Sequence, residues 1–371
     1  MARPATLDLD TLRRYAVARA FPRSPDALGA IARLGFVQYD PIRAPACAQD
    51  LILRHRVDGY RAGDLDRAYP AQPLEEAFLH VYGVMPASRA QVLHPRGDAA
   101  TWRVEREHPT LAQRVMRYAN AREETHPRAL ALALGTPSTT GGWGGESSAT
   151  TRVLDMLHYR GRLRVVRRDA GIRVYAPARE RPRATGAATR GRMLLGLLLR
   201  LYAPLPASTL RQLALMVRGA ALGDDRRAGA IESFTRSRDV SHATVDGVRY
   251  LWPADEDPAA GAVDERVRLL APFDPLTWDR RRFEHLWGWG YRFEAYTPAN
   301  RRVYGYYALP LLWRDRVVGW ANVRPAGEGF AISTHCAGTK PRDAAFRRGL
   351  DAELDALVRF ARRGRRSADA A

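Results

Sequence analysis

The hydrophobic positions near the N-terminus follow the spacing of three short helices. The first is predicted from a cap at Asp8 or Asp10, and the second from a cap at Ser24 to a stop at Gly35. Apolar side chains recur three and four residues apart in both, which places them on one face of each helix. A third helix is predicted over residues 48–55. Three short helices in this order are typical of a helix-turn-helix unit.

A short extended segment, residues 36–41, separates the second predicted helix from the third. Pro41 biases the residue before it, Asp40, towards an extended backbone. Residues two apart in an extended chain point to the same side, so Gln38 and Asp40 are predicted to project together while Tyr39 packs behind them. An amide and a carboxylate side by side could hold water beside a developing positive charge. The alternative is an ordinary strand end without chemistry.

A helix followed by a basic hairpin is predicted further along the chain. A glycine-rich loop at residues 141–145 precedes a helix that is capped by Ser147 or Ser148 and ended by Gly161. The hairpin that follows, residues 163–175, alternates apolar and basic side chains around a glycine turn. A helix with such a hairpin is the outline of a winged helix.

The same plan is predicted once more after an arginine- and proline-rich linker at residues 178–190. Here a hairpin with an Asp246–Gly247 turn follows three helices. These elements are predicted over residues 193–201, 208–216, 228–236 and 243–252.

From Leu269 onward the sequence becomes aromatic and strand-like, and it finishes with an arginine-studded helix over residues 342–363. The predicted fold class is therefore α+β, with tandem helix-turn-helix units before a β-rich C-terminal module. Four modules are predicted. Residues 1–135 form a first winged-helix-like unit with the extended segment and a helical extension, and residues 136–180 form a second winged helix with the basic wing. Residues 190–255 form a third winged helix, and residues 256–371 form the β-rich C-terminal module with its terminal helix.

The formal charge of +19, from 59 basic and 40 acidic residues in a chain of 371, favours a polyanionic partner. Lys340 is the only lysine, so arginine, which grips phosphate bidentately, carries the excess. A GC-rich genome would explain the ratio of arginine to lysine but not the surplus of positive charge. Nucleic acid is therefore the favoured partner.

Several classes of protein are disfavoured by what the sequence lacks. The two cysteines form no CxxC pair, the nine histidines show no metal-ligand spacing, and no P-loop, HExxH or G-x-S-x-G motif occurs. The N-terminal residues lack the apolar core of a signal peptide, and the longest apolar stretch, residues 193–199, is far shorter than a membrane span. We therefore expect no metal, no cofactor, no membrane association and a cytoplasmic location.

Three segments closely resemble the YcaQ-like winged-helix DNA glycosylases, also called the AlkX type: residues 270–280, 293–298 and 304–310. The likeness spans almost the whole chain. The family motif is Gln, an aromatic or aliphatic residue, then Asp, and Gln38, Tyr39 and Asp40 match it. A sister branch, the azinomycin-resistance AlkZ type, has a second Gln at the position of Asp40. The surroundings of His80 depart from the family pattern.

The resemblance implies tandem winged helices in a C-shaped arrangement, a β-barrel-like C-terminal module, and excision of N7-alkylguanine from DNA, including interstrand crosslinks. It also implies that Gln38 and Asp40 are catalytic. The chemistry agrees, because alkylation at N7 makes the purine a cationic leaving group, and the Asp40 carboxylate would stabilise an oxocarbenium-like sugar and orient or deprotonate water. Gln38 would hold the same water or the deoxyribose. Since Lys340 is remote in sequence, water is the expected nucleophile, which predicts a monofunctional enzyme.

Arginines beside the extended segment and on the second predicted wing are expected to bind DNA phosphates, with a solvated surface as the alternative: Arg54, Arg56, Arg160, Arg162, Arg164, Arg167 and Arg168. Tyr39 and His80 are candidates for the groove, although a structural histidine in the core is the favoured interpretation of His80. The expected partner is double-stranded DNA carrying alkylated or crosslinked purines, bound by a nucleoid-associated monomer. The rival interpretations are a non-catalytic winged-helix regulator and a protein that sequesters lesions without cutting.

Overall fold

The computed structural model describes residues 7–96, 101–135, 137–140, 146–179, 185–217, 219–220, 227–327 and 329–369. The glycine-rich loop at residues 141–145 lies outside these ranges. The fold mixes α-helices with antiparallel sheets, which agrees with the predicted α+β class. No helix within the described ranges is both long and apolar enough to cross a membrane.

The helices of the described chain are α1 (Leu9–Ala20), α2 (Ala27–Leu34), α3 (Ala48–Leu53), α4 (Asp64–Ala68), α5 (Ala87–Ala90), α6 (Arg103–Glu107), α7 (Leu111–Asn120), α8 (Pro127–Leu134), α9 (Ala149–Tyr159), α10 (Ala187–Tyr202), α11 (Ala207–Met216), α12 (Arg227–Thr235), α13 (Arg280–Trp287) and α14 (Ala344–Asp369).

The strands are β1 (Val37–Gln38), β2 (Leu74–Phe78), β3 (Tyr82–Pro86), β4 (Ser138–Thr140), β5 (Glu146–Ser148), β6 (Leu163–Asp169), β7 (Ile172–Pro177), β8 (Leu205–Pro206), β9 (Val240–Val245), β10 (Val248–Pro253), β11 (Val267–Leu269), β12 (Leu309–Trp313), β13 (Arg316–Ala326) and β14 (Gly329–Cys336). Strands β2 and β3, β4 and β5, and β6 and β7 form antiparallel pairs.

The chain divides into two compact units, each assembled from separate stretches of sequence. Unit 1 contains Met1–Leu65, Leu195–Leu213 and Glu232–Ala371, and unit 2 contains Asp66–Leu194 and Ala214–Ile231. The N-terminal helices therefore share a unit with the C-terminal sheet. The four modules expected along the sequence remain a prediction.

The first two helices are capped by aspartates. The Asp8 carboxylate accepts a hydrogen bond from the backbone N–H of Thr11 at 2.7 Å, which confirms one of the two predicted caps of α1. The predicted cap of α2 at Ser24 is wrong, because Asp26 caps that helix and accepts from the N–H of Gly29 at 2.7 Å. The backbone of Ser24 instead forms a parallel bridge to Val57, which holds it outside the helix.

The core of unit 1 joins the first helix to the C-terminal module. Leu12 and Tyr15 of α1 belong to one buried cluster with Leu270, with Phe283 of α13 and with Leu312 of β12. Burial of a large apolar side chain stabilises a fold by about 1.5–3 kcal/mol. This shared core packs α1 against the C-terminal part of unit 1.

The C-terminal module differs from the barrel-like form that the resemblance implied. In the described residues its strands make an open antiparallel sheet in the order β11, β12, β13, β14. Helix α14 contacts both edge strands, β11 and β14, and its Phe346 packs against Trp313 with ring centroids 5.3 Å apart. A helix therefore covers the edges that a closed barrel would pair with each other.

The predicted helix-and-hairpin elements occur where the sequence places them. Ser148 is the N-cap residue of α9, and β6 and β7 turn at Ala170 (φ 46°) and Gly171 (φ 83°). Strands β9 and β10 turn at Asp246 (φ 47°) and Gly247 (φ 79°). Two successive positive φ angles are what a tight type I′ hairpin turn requires. These local elements are confirmed.

Candidate active site

The segment that carries the predicted catalytic pair is extended. Val37 and Gln38 form strand β1, and Pro41 follows Asp40. Tyr39 is buried, at 8 % exposure, whereas Gln38 and Asp40 are each half-buried. The alternation places the amide and the carboxylate on the more accessible side of the segment, with the tyrosine behind them.

The carboxylate of Asp40 is oriented by the backbone that follows it. Its Oδ1 accepts a hydrogen bond from the N–H of Ile42 at 2.9 Å, an Asx turn that fixes the side chain. The N–H of Asp40 donates in turn to Oε1 of Gln49 on α3, at 3.4 Å. Gln49 is buried and ties the segment to the helix after it. Sequence reasoning missed this contact, since one glutamine in a helix carries no distinguishing signal.

The electrostatic setting of Asp40 favours interaction with a positive charge. Burial raises the pKa of the Asp40 carboxyl, and the hydrogen bond from Ile42 opposes part of that rise. Among the described residues, no charged side chain contributes to this pKa. A partly desolvated carboxylate without an ionic partner interacts strongly with a cation that develops beside it.

Gln38 offers an acceptor on the same side of the segment. Its Oε1 is buried and accepts no hydrogen bond from any residue that the structure describes. A buried carbonyl oxygen left unpaired costs about 1–3 kcal/mol. Pairing with an ordered water or with a substrate donor would remove that cost.

Tyr307, which the sequence reasoning did not single out, interacts electrostatically with Asp40. Its ring is buried, and its hydroxyl has no hydrogen-bond partner among the described residues. Burial raises the pKa of Tyr307 well above its usual value, and the negative charge of Asp40 adds to that rise. Tyr307 is therefore a neutral hydroxyl donor in the electrostatic field of Asp40. Only its place in the segment 304–310 marked it in the sequence.

An aromatic cluster extends from Tyr307 to a cavity in unit 1. The rings of Tyr307 and Phe293 meet edge to face with centroids 5.4 Å apart, and Phe293 lies 4.7 Å from Phe273. Both phenylalanines line a cavity of about 380 Å³. Its full lining is Gln212, Pro272, Phe273, Thr277, Trp278, Asp279, Arg280, Arg281, Tyr291 and Phe293.

A family comparison matches residues 31–360 to the family described as DNA glycosylase AlkZ-like. The matched range covers most of the chain, including the segment with Asp40 and the residues around the cavity. The chain belongs to the AlkZ-like DNA glycosylase family. The predicted resemblance is therefore confirmed, and membership supports a DNA glycosylase role and a DNA substrate in general terms. No solved structure matches the chain.

Two arginines that were predicted to bind DNA are buried ion-pair partners in this AlkZ-like chain. Arg54 donates to both carboxylate oxygens of Glu353, at 2.8 and 3.0 Å. Arg56 is 1 % exposed and donates to both oxygens of Asp274, at 2.7 and 3.0 Å, and to two backbone carbonyl oxygens. Neither guanidinium faces solvent, so the predicted phosphate contacts are corrected to structural ion pairs.

Two of the predicted wing arginines are also engaged with carboxylates. Arg160 donates to Glu105 at 2.8 Å, and both side chains are largely covered. Arg167 pairs with Glu124 at 2.9 Å, but these side chains are 40 % and 44 % exposed. An exposed pair contributes only about 0–1 kcal/mol, so Arg167 could exchange its carboxylate for a phosphate more readily than Arg160 could.

The remaining wing arginines differ sharply in exposure. Arg168 donates to both oxygens of Glu76, at 2.9 and 2.7 Å, and Glu76 is fully buried. Arg164 is half-buried, and burial lowers its pKa. Arg162 is exposed and has no ion pair among the described residues. Of the five, Arg162 is the side chain most available to a DNA phosphate.

His80 lies in unit 2 and is buried, at 8 % exposure. Burial lowers its pKa to about 3, so the imidazole is neutral at physiological pH. A neutral, enclosed imidazole supports the core alternative for His80 over a role in the groove.

Proposed function

We propose that this protein is a monofunctional DNA glycosylase that removes N7-alkylated purines from double-stranded DNA, with Asp40 and Gln38 at the reacting centre. The observation that carries the proposal is the carboxylate of Asp40. It is half-buried, held by Ile42, and without a charged neighbour that contributes to its pKa among the described residues. Asp40 also lies within residues 31–360, the range that matches the AlkZ-like family, and this supports the same assignment.

The proposed reaction needs no acid on the leaving base. A purine alkylated at N7 carries positive charge, so it leaves as a neutral base when the bond between N9 and C1′ breaks and N9 keeps the electron pair. The sugar becomes oxocarbenium-like, and the Asp40 carboxylate stabilises that charge. The oxygen of a water molecule then bonds to C1′, and Asp40 accepts the proton that the water loses.

The raised pKa of Asp40 suits a proton acceptor, because a more basic carboxylate takes the proton from water more readily. The buried Oε1 of Gln38 accepts a hydrogen bond from the same water and orients it.

Water as the nucleophile leaves an intact abasic strand. Strand-nicking glycosylases attack the sugar with an amine and form a Schiff base. Lys340, the only lysine, is exposed and follows β14 in the C-terminal part of unit 1. Because each purine of an N7-to-N7 interstrand crosslink is a cationic leaving group, the proposal includes the unhooking of such crosslinks.

We also propose that α9 with β6 and β7, and α10 to α12 with β9 and β10, act as winged helices on duplex DNA. The order of helices and hairpins and the charge of +19 support this use. Arg162 and Arg167 are the proposed phosphate contacts of the wing formed by β6 and β7. The protein is proposed to act as a monomer in the cytoplasm, at the nucleoid.

A purified enzyme and a duplex with a single N7-methylguanine test this proposal. We expect a strand break at the lesion only after alkali, and none in the matched undamaged duplex. A second duplex with an N7-to-N7 crosslink should lose its slow-migrating species on a denaturing gel. Tight binding of the methylated duplex with no alkali-labile site would instead support a protein that regulates or sequesters without cutting.

A further inference from the structure

Three large apolar side chains stand exposed on one stretch of unit 1, residues 292–306, here called the 292–306 loop. Tyr296 is 84 % exposed, Val303 is 71 % exposed and Tyr306 is 46 % exposed. Exposed apolar side chains that are grouped in this way mark interaction surfaces more often than isolated ones do.

The 292–306 loop is held in place by a buried carboxylate. Glu294 is 3 % exposed, and its Oε2 accepts backbone hydrogen bonds from Val303 at 2.9 Å, Tyr304 at 2.7 Å and Gly305 at 3.2 Å. Gly305 has φ 114°, a backbone conformation that favours glycine, and a Cβ there would collide with the side chain of Asn322. One acceptor thus closes the loop on itself.

Strand β13 fixes the same loop from the outside. Trp320 Nε1 and Asn322 Nδ2 both donate to the carbonyl oxygen of Tyr304, at 3.1 and 2.8 Å. Arg302 Nε donates to the carbonyl oxygen of Thr297 at 2.8 Å. The exposed rings therefore stand on a fixed backbone, which reduces the entropy lost when a partner binds.

The positive charge of the 292–306 loop favours an anionic partner. Arg292 and Arg301 are exposed and Arg302 is half-buried, and none of the three pairs with a carboxylate among the residues that the structure describes. The guanidinium of Arg302 lies 5.1 Å from the centroid of the Tyr306 ring. The acid of the loop, Glu294, is buried and engaged. Arginines interleaved with exposed tyrosines fit a strand that offers both phosphates and flat bases.

The loop is also connected to the candidate reacting centre within unit 1. Phe293 contacts both Tyr296 and Tyr307, with ring centroids 5.9 and 5.4 Å apart. Tyr307 in turn senses the charge of Asp40. The exposed ring of Tyr296 is therefore continuous, through Phe293, with the buried ring of Tyr307.

We propose that the 292–306 loop is a stacking surface for unpaired DNA bases, with Tyr296 and Tyr306 against the bases and Arg292, Arg301 and Arg302 on the phosphates. This inference rests on the proposed function, because opening the duplex around an excised nucleotide is what supplies unpaired bases. The loop would give the protein a preference for opened DNA over intact duplex.

The test compares the affinity of the full-length protein for two duplexes, one intact and one with a stable abasic analogue opposite an unpaired base, by fluorescence anisotropy. Replacing both Tyr296→Ala and Tyr306→Ala should weaken binding of the abasic duplex about 5- to 100-fold and change the intact duplex less. The pair Tyr296→Phe and Tyr306→Phe keeps both rings and should retain the parental preference. Leu132→Ala, at a side chain that is 90 % exposed in unit 2, controls for loss of surface area.

Parental binding of the abasic duplex by the double alanine variant would overturn the stacking surface and favour a protein partner for these rings. The same would follow if the double phenylalanine variant lost as much affinity as the alanine variant. Base release is scored separately on N7-methylguanine. If the parental protein releases the base and the double alanine variant binds the abasic duplex with parental affinity, only the stacking surface is refuted. If the parental protein prefers the abasic duplex, and this preference depends on Tyr296 and Tyr306, but no base is released, only the proposed function is refuted.

Discussion

The buried pair of Arg56 and Asp274 predicts a large loss of stability without a matching loss of DNA affinity. Both side chains are almost completely enclosed, with exposures of 1 % and 0 %, and they share two hydrogen bonds of 2.7 and 3.0 Å. Replacing Arg56→Leu leaves the Asp274 carboxylate buried without its cation. Removing one partner of a buried ion pair costs about 3–5 kcal/mol.

The assay is chemical denaturation of the parent and three variants, followed by DNA binding under conditions in which each variant is folded. Arg56→Leu should lower the free energy of unfolding of unit 1 by about 3–5 kcal/mol, and adding Asp274→Leu should recover much of that loss because no charge is left uncompensated. Arg162→Leu, at an exposed position, should change stability by no more than about 0.5 kcal/mol. If Arg56→Leu were as stable as the parent but bound duplex DNA weakly, the original phosphate role would be restored and the structural one refuted.

Four further predictions follow from the site, the wing and the single lysine. Burial raises the pKa of Asp40 above the usual aspartate value of 3.8, and base release needs the charged carboxylate. The rate of base release should therefore fall as the pH is lowered, with a midpoint above 3.8. A rate that does not change with pH through the acid range would contradict this. The raised pKa also means that the charged carboxylate costs stability near neutral pH, so Asp40→Asn should unfold at higher denaturant than the parent at pH 7, with the gain shrinking as pH falls through that raised pKa. Arg162→Ala should reduce the slope of log affinity against log salt by about 0.9, whereas an unchanged slope would assign Arg162 to the solvated surface. Borohydride should trap no covalent complex with DNA, and a trapped complex that disappears in Lys340→Ala would overturn the water mechanism.

The local elements could be predicted from sequence because their signals are local. A side-chain cap at Asp8 and positive φ angles at Asp246 and Gly247 depend on residues a few positions apart. The error at Ser24 has a non-local cause, since its backbone bridges Val57. Cap chemistry alone cannot reveal such a competing contact.

The roles of the arginines could not be predicted for the same reason. Arg56 meets a carboxylate 218 residues away, and Arg168 meets Glu76 across 92 residues. An arginine that is destined for a buried ion pair looks in sequence like one that faces DNA. Part of the positive charge that favoured a nucleic-acid partner therefore neutralises buried carboxylates within the fold.

The candidate site was partly accessible to sequence reasoning. Alternation in an extended segment placed Gln38 and Asp40 on one side, which depends only on neighbouring residues. Gln49 carries no sequence signal, and Tyr307 was marked only as part of the segment 304–310, so their interactions with Asp40 emerged from the fold. The open C-terminal sheet was likewise missed, because strand pattern does not determine whether edges pair or are covered by a helix.

The most direct test of the central claim is the single-turnover rate of base release by Asp40→Asn on a duplex with one N7-methylguanine, measured together with the affinity for the same duplex. Asp58→Asn, at an exposed acid in unit 1, is the matched control. The proposed mechanism predicts a rate at least about 100-fold below the parent for Asp40→Asn, with parental affinity and with a parental rate for Asp58→Asn. Release of the base by Asp40→Asn at the parental rate would contradict the assignment of Asp40 as the catalytic carboxylate.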